Sequence, residues 1–264
     1  MGKLMKYDLR AALRLFIPLW IGTLVLGLVN GVTIEMEQSD NRYLNFFTGL
    51  FAVLFVLAIF AILIVAAIYV VQRFYQSMLK DEGYLTFTLP VGIDSILWSK
   101  ALTALILLAG SAVVCVLAFV MMVVRDVAAL DLRRVLESLV SEVAWQEILS
   151  IMGCFVLMMA AGCLAMLFLV YLSMAVGQLV QKHRMAASVG AFVGINILTS
   201  YLANLGLSLF GSDTIAEALN QFQVFDDVPM VCITFLCIAF YSLIEAAIYY
   251  FPARYLFKKK LNLE

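Results

Sequence analysis

Few side chains in this chain are able to do chemistry, and those few sit where they are costly. Glu245 lies inside a long apolar run, roughly a turn and a half from its end. A carboxylate at a bilayer centre costs about 2.5–3.5 kcal/mol on insertion scales, and less near the interface. Glu245 therefore either handles a proton or coupling ion, or serves as an ion-paired or hydrogen-bonded brace, with an inner-facing Arg or Lys as one candidate partner. Its closeness to the interface favours the brace. His183 is the single histidine, set between Lys182 and Arg184 with no cluster of ligands around it. It reads as solvated or lipid-facing. The five cysteines, Cys115, Cys154, Cys163, Cys232 and Cys237, lie in apolar runs without CxxC spacing. A thiol there behaves as a small hydrophobe, so neither a metal site nor a disulfide framework is expected.

Catalytic signatures are missing. The sequence holds no GxxxxGK[ST] phosphate loop, no GxSxG elbow and no HExxH pair. The chain is not expected to be an enzyme on its own or to bind a cofactor. A polar column remains: Ser188, Asn196, Ser200, Asn204 and Ser208 recur at multiples of four. Such a stripe either lines a hydrated path, for which Asn196, Ser200 and Asn204 are the candidates, or hydrogen-bonds a neighbouring helix. Two pairs of small residues, Gly27 with Gly31 and Gly190 with Gly194, permit close helix approach.

These residues are embedded in an unusually oily chain. Of its 264 residues 65% are hydrophobic and only 13% charged, with a mean hydropathy of +1.04. Soluble domains are about 45–50% apolar and about 25% charged. A chain of this length cannot bury so much apolar surface against itself, so its solvent is lipid. That excludes a cytosolic enzyme, a secreted disulfide scaffold and a disordered tail. A spanning helix takes roughly 20 apolar residues. Six stretches qualify, at about Leu15–Ile34, Phe46–Val71, Ala101–Val124, Ile148–Val180, Met185–Phe210 and Val228–Tyr250. The fourth would reach roughly 50 Å and is expected to project into water on the cytoplasmic side. The first run is as long as a full span and lacks a small-residue cleavage site, so it does not read as a cleaved signal.

Charge fixes the expected orientation. With the N-terminus inside, thirteen basic residues fall in inner segments and four (Arg42, Arg125, Arg133 and Arg134) in outer ones. This positive-inside bias places both termini in the cytoplasm. The outer loops are acidic, as groups that cross without penalty can be. Residues 1–14 mix basic and apolar side chains and suit an interfacial helix reaching anionic lipid head groups. Residues 125–147 carry Leu132, Val135, Leu136, Leu139, Val140 and Val143 at helical spacing, an amphipathic outer segment.

The inner loop 72–100 reads QRFYQSMLKDEGYLTFTLPVGIDSILWSK. Gly83 permits a sharp turn, Pro90 and Gly92 break the chain, and Asp94 suits the N-cap of the helix that follows. Tyr84, Leu85, Phe87 and Leu89 place aromatic and aliphatic groups in a segment that should be wet. They form either a docking surface for another protein or an interfacial belt on lipid.

The opening MGKLMKYDLRA, the string KDEGYLTFTLPVGIDSILWSK and the ending RYLFKKKLNLE together resemble the permease subunits of bacterial ABC-2-type exporters. The likeness is to the compact six-span permeases of Gram-positive bacteria, and it covers the whole chain. It implies a single all-α permease domain over 1–264 in the bacterial cell membrane. Two permeases, identical or related, would work with separate ATPase subunits that bind ATP and Mg. Coupling to the ATPase would fall on Lys80, Asp81, Glu82, Gly83, Tyr84, Phe87 and Leu89. Spans one and five would pack against the second permease, giving Gly27, Gly31, Gly190 and Gly194 a purpose. The cargo would be an amphipathic peptide, drug or lipid-like compound, and nucleic acid is not an expected partner. Two other readings stand beside this one. The first is an ion- or proton-coupled carrier using Glu245 and the polar column, although no inverted repeat is legible in the spans. The second is a non-transporting membrane sensor or scaffold.

Overall fold

A computed structural model describes residues 2–36, 42–79, 92–128, 145–180, 183–210 and 227–259. It is almost entirely helical there, with no strand among the described residues. The helices are α1 (Gly2–Met36), α2 (Arg42–Leu79), α3 (Ile93–Ala128), α4 (Trp145–Gly177), α5 (Arg184–Phe210) and α6 (Asp227–Lys259). Six helices are long and apolar enough to cross a membrane, so the chain is a multi-pass membrane protein. Helix is the form that satisfies every backbone N–H and C=O within one segment, as hydrocarbon demands. Polar side chains within the spans follow the same logic. Thr23, Thr103, Thr199, Thr234 and Ser242 each donate to a carbonyl four residues earlier in their own helix. Large apolar side chains such as Phe47, Phe60, Val116, Phe240 and Ile248 face outward, the arrangement of a protein whose surroundings are lipid.

The helices outrun the apolar stretches that mark them. Helix α1 starts at Gly2, so residues 2–14 are helical and continuous with the first span. The fourth span is not exceptional in length. Helices α1, α2, α3, α4 and α6 have 33 to 38 residues each. Helix α4 ends at Gly177 in a short turn closed by Leu179 N–H to Val176 O and Val180 N–H to Gly177 O.

The chain divides into two compact units. In the first, α1 and α2 are antiparallel: Asp8 meets Arg73, Phe16 meets Tyr69 edge-on at 5.4 Å, and Asn30 meets Phe51. Helices α1 and α3 are parallel and hold a constant register. Asp8 pairs with Lys100, Trp20 Nε1 donates to Ser111 Oγ at 3.2 Å, and Gly27 abuts Ala118, each pair 91 or 92 residues apart. Ala12, Phe16, Ala66 and Leu107 make the buried core, flanked by Leu9, Trp20, Tyr69 and Leu108.

The second unit comprises α4, α5 and α6 together with residues up to Asp94 that precede most of α3. Here α4 and α6 are parallel. Ser150 lies beside Cys232, Phe155 beside Phe235 at 5.8 Å and Phe168 beside Tyr250 at 5.2 Å, all 80 to 82 residues apart. That offset sets Ala161 level with Ser242 and Ala165 level with Ala246, and all four are buried. Helix α5 packs on α4, yet none of its described residues is buried. Each unit, taken by itself, thus has a first helix touching both others and a third helix parallel to the first. This shared plan is invisible in the pattern of spans, because the register between helices is set by contacts far apart in sequence.

Candidate functional site

The densest polar site among the described residues lies in the first unit, where three helices bring one acid and two bases together. Asp8 on α1 is 6% exposed. Its Oδ1 accepts from Arg73 Nη2 on α2 at 2.8 Å, and its Oδ2 accepts from the Lys100 ammonium on α3. The Lys100 side chain is nearly buried and that of Arg73 is one-third exposed. One carboxylate therefore balances two cations in a low-dielectric setting. Removing one partner of such a site leaves an uncompensated buried charge, at a cost of about 3–5 kcal/mol. Helix α2 ends at Leu79, six residues past Arg73, and α3 begins at Ile93, seven residues before Lys100. The triad therefore grips the two helical stalks on either side of segment 80–91.

Asp94 makes a second polar cluster, within the second unit. It lies in the first turn of α3, but its carboxylate does more than the capping its position suggests. Arg254 of α6 forks onto it, with Nε at 2.6 Å from Oδ1 and Nη2 at 2.7 Å from Oδ2, and Tyr250 Oη donates to Oδ1 at 2.7 Å. Arg254 and Asp94 are each 43% exposed. The cluster is geometrically specific and solvated, so it contributes less than its contacts suggest.

The residues singled out from sequence fare unevenly. Lys80, Asp81, Glu82, Gly83, Tyr84, Phe87 and Leu89 lie outside the described residues, as does 129–144 of the outer amphipathic segment. Glu245 is half-buried and accepts from Tyr241 Oη one turn earlier on α6, at 2.9 Å. Of the two structural expectations, an ion pair or a hydrogen-bonded brace, the contact seen is a hydrogen bond, from a phenol on the same helix.

The polar column of α5 splits. Ser188 packs against Gly177, where a Cβ would lie 2.6 Å from the Ser188 backbone N. Asn196, Ser200, Asn204 and Ser208 are exposed instead. Their bonds stay local, with Asn204 Nδ2 donating to Ser200 O at 2.8 Å and Ser208 Oγ to Leu205 O at 2.9 Å. Four-residue spacing drifts by about 40° per step, enough to carry Ser188 off the face of the others.

The glycine pairs also part company. Gly27 and Gly31 are buried, and a Cβ on Gly27 would stand 2.6 Å from Ala118 O. Gly27 thus packs closely on the backbone of α3 within this chain. Gly190 and Gly194 are exposed with nothing within 4 Å of a Cβ.

Sequence reasoning missed Asp8, Arg73 and Lys100 as a group, and Gly177 as a close-approach glycine. Asp8 left one signal, as a lone acid in a strongly basic N-terminal stretch. Comparison with family models, with curated proteins and with solved structures finds no match for this chain.

Proposed function

We propose that this chain is the membrane permease subunit of an ABC-2-type exporter. It would sit in a bacterial cell membrane with both termini in the cytoplasm and act with a second permease. A separate ATPase subunit binds ATP and Mg and docks on segment 80–91. The cargo class is an amphipathic peptide, drug or lipid-like compound leaving the cell.

One observation carries the reading: Asp8 joins the stalks of the docking segment, through Arg73 and Lys100, to α1. A push on an unbraced loop would bend whichever helix yields first. With both stalks bonded to one buried carboxylate, the same push moves α1, α2 and α3 together. The resemblance of the 80–100 string and the bias of basic residues toward this end support the same assignment.

The test is affinity purification of the tagged chain from its native membrane, followed by reconstitution in vesicles. An ATPase carrying a phosphate loop should copurify, and ATP should drive cargo across. Purified material that never holds an ATPase would remove the proposal.

The second reading, an ion- or proton-coupled carrier, draws on the shared plan of the two units. Structural repeats of a few helices each are frequent in carriers. The Tyr241–Glu245 bond would be its candidate proton-handling group. Transport that follows an ion gradient and ignores ATP would favour it.

A further inference from the structure

Helix α1 carries two stripes on opposite sides of its first turns. Asp8, Ala12 and Phe16 are buried against α2 and α3. Lys6, Arg10 and Arg14 recur at the same four-residue spacing, two residues out of phase, and all three are exposed. Two residues turn a helix by about 200°, so these cations stand nearly opposite Asp8. No acid pairs with any of the three among the described residues. Tyr7 is exposed beside them, an amphipathic ring of the kind that settles at head-group level. The same face then turns apolar. Ile17, Ile21, Val25 and Leu28 continue it, all exposed, within the span Met5–Thr33. From Lys6 to Arg14 the helix rises about 12 Å, and the apolar part of the face runs on for about 20 Å more.

We propose that this face of α1 is a binding site for one anionic phospholipid. Arg10 and Arg14 hold its phosphate, Lys6 sits at the watery rim, and the acyl chains lie along Ile17, Ile21, Val25 and Leu28. The two arginines are one turn apart, so both guanidinium forks can close on a single phosphate with paired N–H donors. Order along the face decides between occupants. An acidic protein segment would answer the cations and leave the apolar stretch uncovered, whereas a phospholipid brings charge first and hydrocarbon after it. The inference stands on the exposed side of α1 and does not depend on the export reading.

The test uses the full chain in detergent micelles, titrated with dioleoylphosphatidylglycerol or with dioleoylphosphatidylcholine, the bound lipids being counted by native mass spectrometry. The first phosphatidylglycerol should bind about tenfold or more tightly than the first phosphatidylcholine, because each cation near the head group adds to the attraction. Arg10→Gln with Arg14→Gln should abolish that preference and unfold at the parental temperature, since both side chains are exposed and unpaired. Arg184→Gln with Lys258→Gln removes two other exposed cations and should bind phosphatidylglycerol as the parent does. Free glycerol phosphate should not displace the lipid. Equal affinity of the parent for the two lipids overturns the proposal without recourse to any variant. So does a preference that survives in the Arg10 and Arg14 pair, or an equal loss in both pairs, which would mean diffuse attraction rather than a site. Displacement by glycerol phosphate as readily as by more phosphatidylglycerol would also overturn it, because phosphate alone would then be the ligand.

Discussion

Asp8 accepts a hydrogen bond from Arg73 at 2.8 Å, across 65 residues of chain, while its second oxygen holds Lys100. This carboxylate is the only described acid at its end of the first unit, and it is almost wholly buried. Asp8→Asn should lower the unfolding free energy in detergent by about 3 kcal/mol, because two cations are left without their anion. Replacing the three together (Asp8→Leu, Arg73→Met, Lys100→Met) should recover most of that loss, since well-packed apolar groups often match a buried ion cluster. Thermal unfolding of both variants checks this. A triple variant no better than the single one would mean that the triad does more than balance its own charges.

Gly27→Leu should be destabilising by about 1–3 kcal/mol, since any Cβ there stands 2.6 Å from Ala118 O and the helices must part to admit it. Gly190→Leu and Gly194→Leu should leave the stability of the isolated chain unchanged, for both positions are open. The same thermal assay reads all three. Loss of association with a second permease in the Gly190 and Gly194 variants, at unaltered stability, would assign that face of α5 to the interface.

Arg254→Lys keeps the charge but loses the fork on Asp94. At 43% exposure on both partners the cost should be small, about 0.5–1 kcal/mol. Tyr250→Phe removes one donor to the same carboxylate and should cost a similar amount. The double variant should lose less than the sum, because both donors share Asp94 Oδ1.

Glu245→Gln preserves an acceptor for the Tyr241 hydroxyl and should leave stability within about 0.5 kcal/mol of the parent. It also separates the two transport readings. ATP-driven export should survive the change, whereas a proton-coupled carrier using this acid should stop.

The spans were legible in the sequence because hydrocarbon admits so few solutions. A chain with six apolar runs of spanning length has to make six helices. Their ends were not legible. Hydropathy cuts α1 near Leu15, α2 near Val71 and α3 near Ala101, since charged residues lie just beyond each limit. The helices continue because Asp8, Arg73 and Lys100 neutralise one another in three dimensions. Such pairing across 65 and 92 residues leaves no local pattern to read. The polar residues of α5 were visible as a composition, but the turn of the helix sends Ser188 toward Gly177 and Asn196 outward. Parallel register in each unit is likewise a property of contacts between helices.

In the proposed exporter, motion enters through the aromatic segment 80–91 between α2 and α3. The most direct test is ATP-driven transport in vesicles holding the native complex, with Tyr84→Ala and Phe87→Ala combined. The double variant should insert and fold as the parent does, keep its ATPase subunit hydrolysing ATP, and lose at least tenfold in cargo moved per ATP. Transport at the parental rate with both aromatic groups gone would contradict the account.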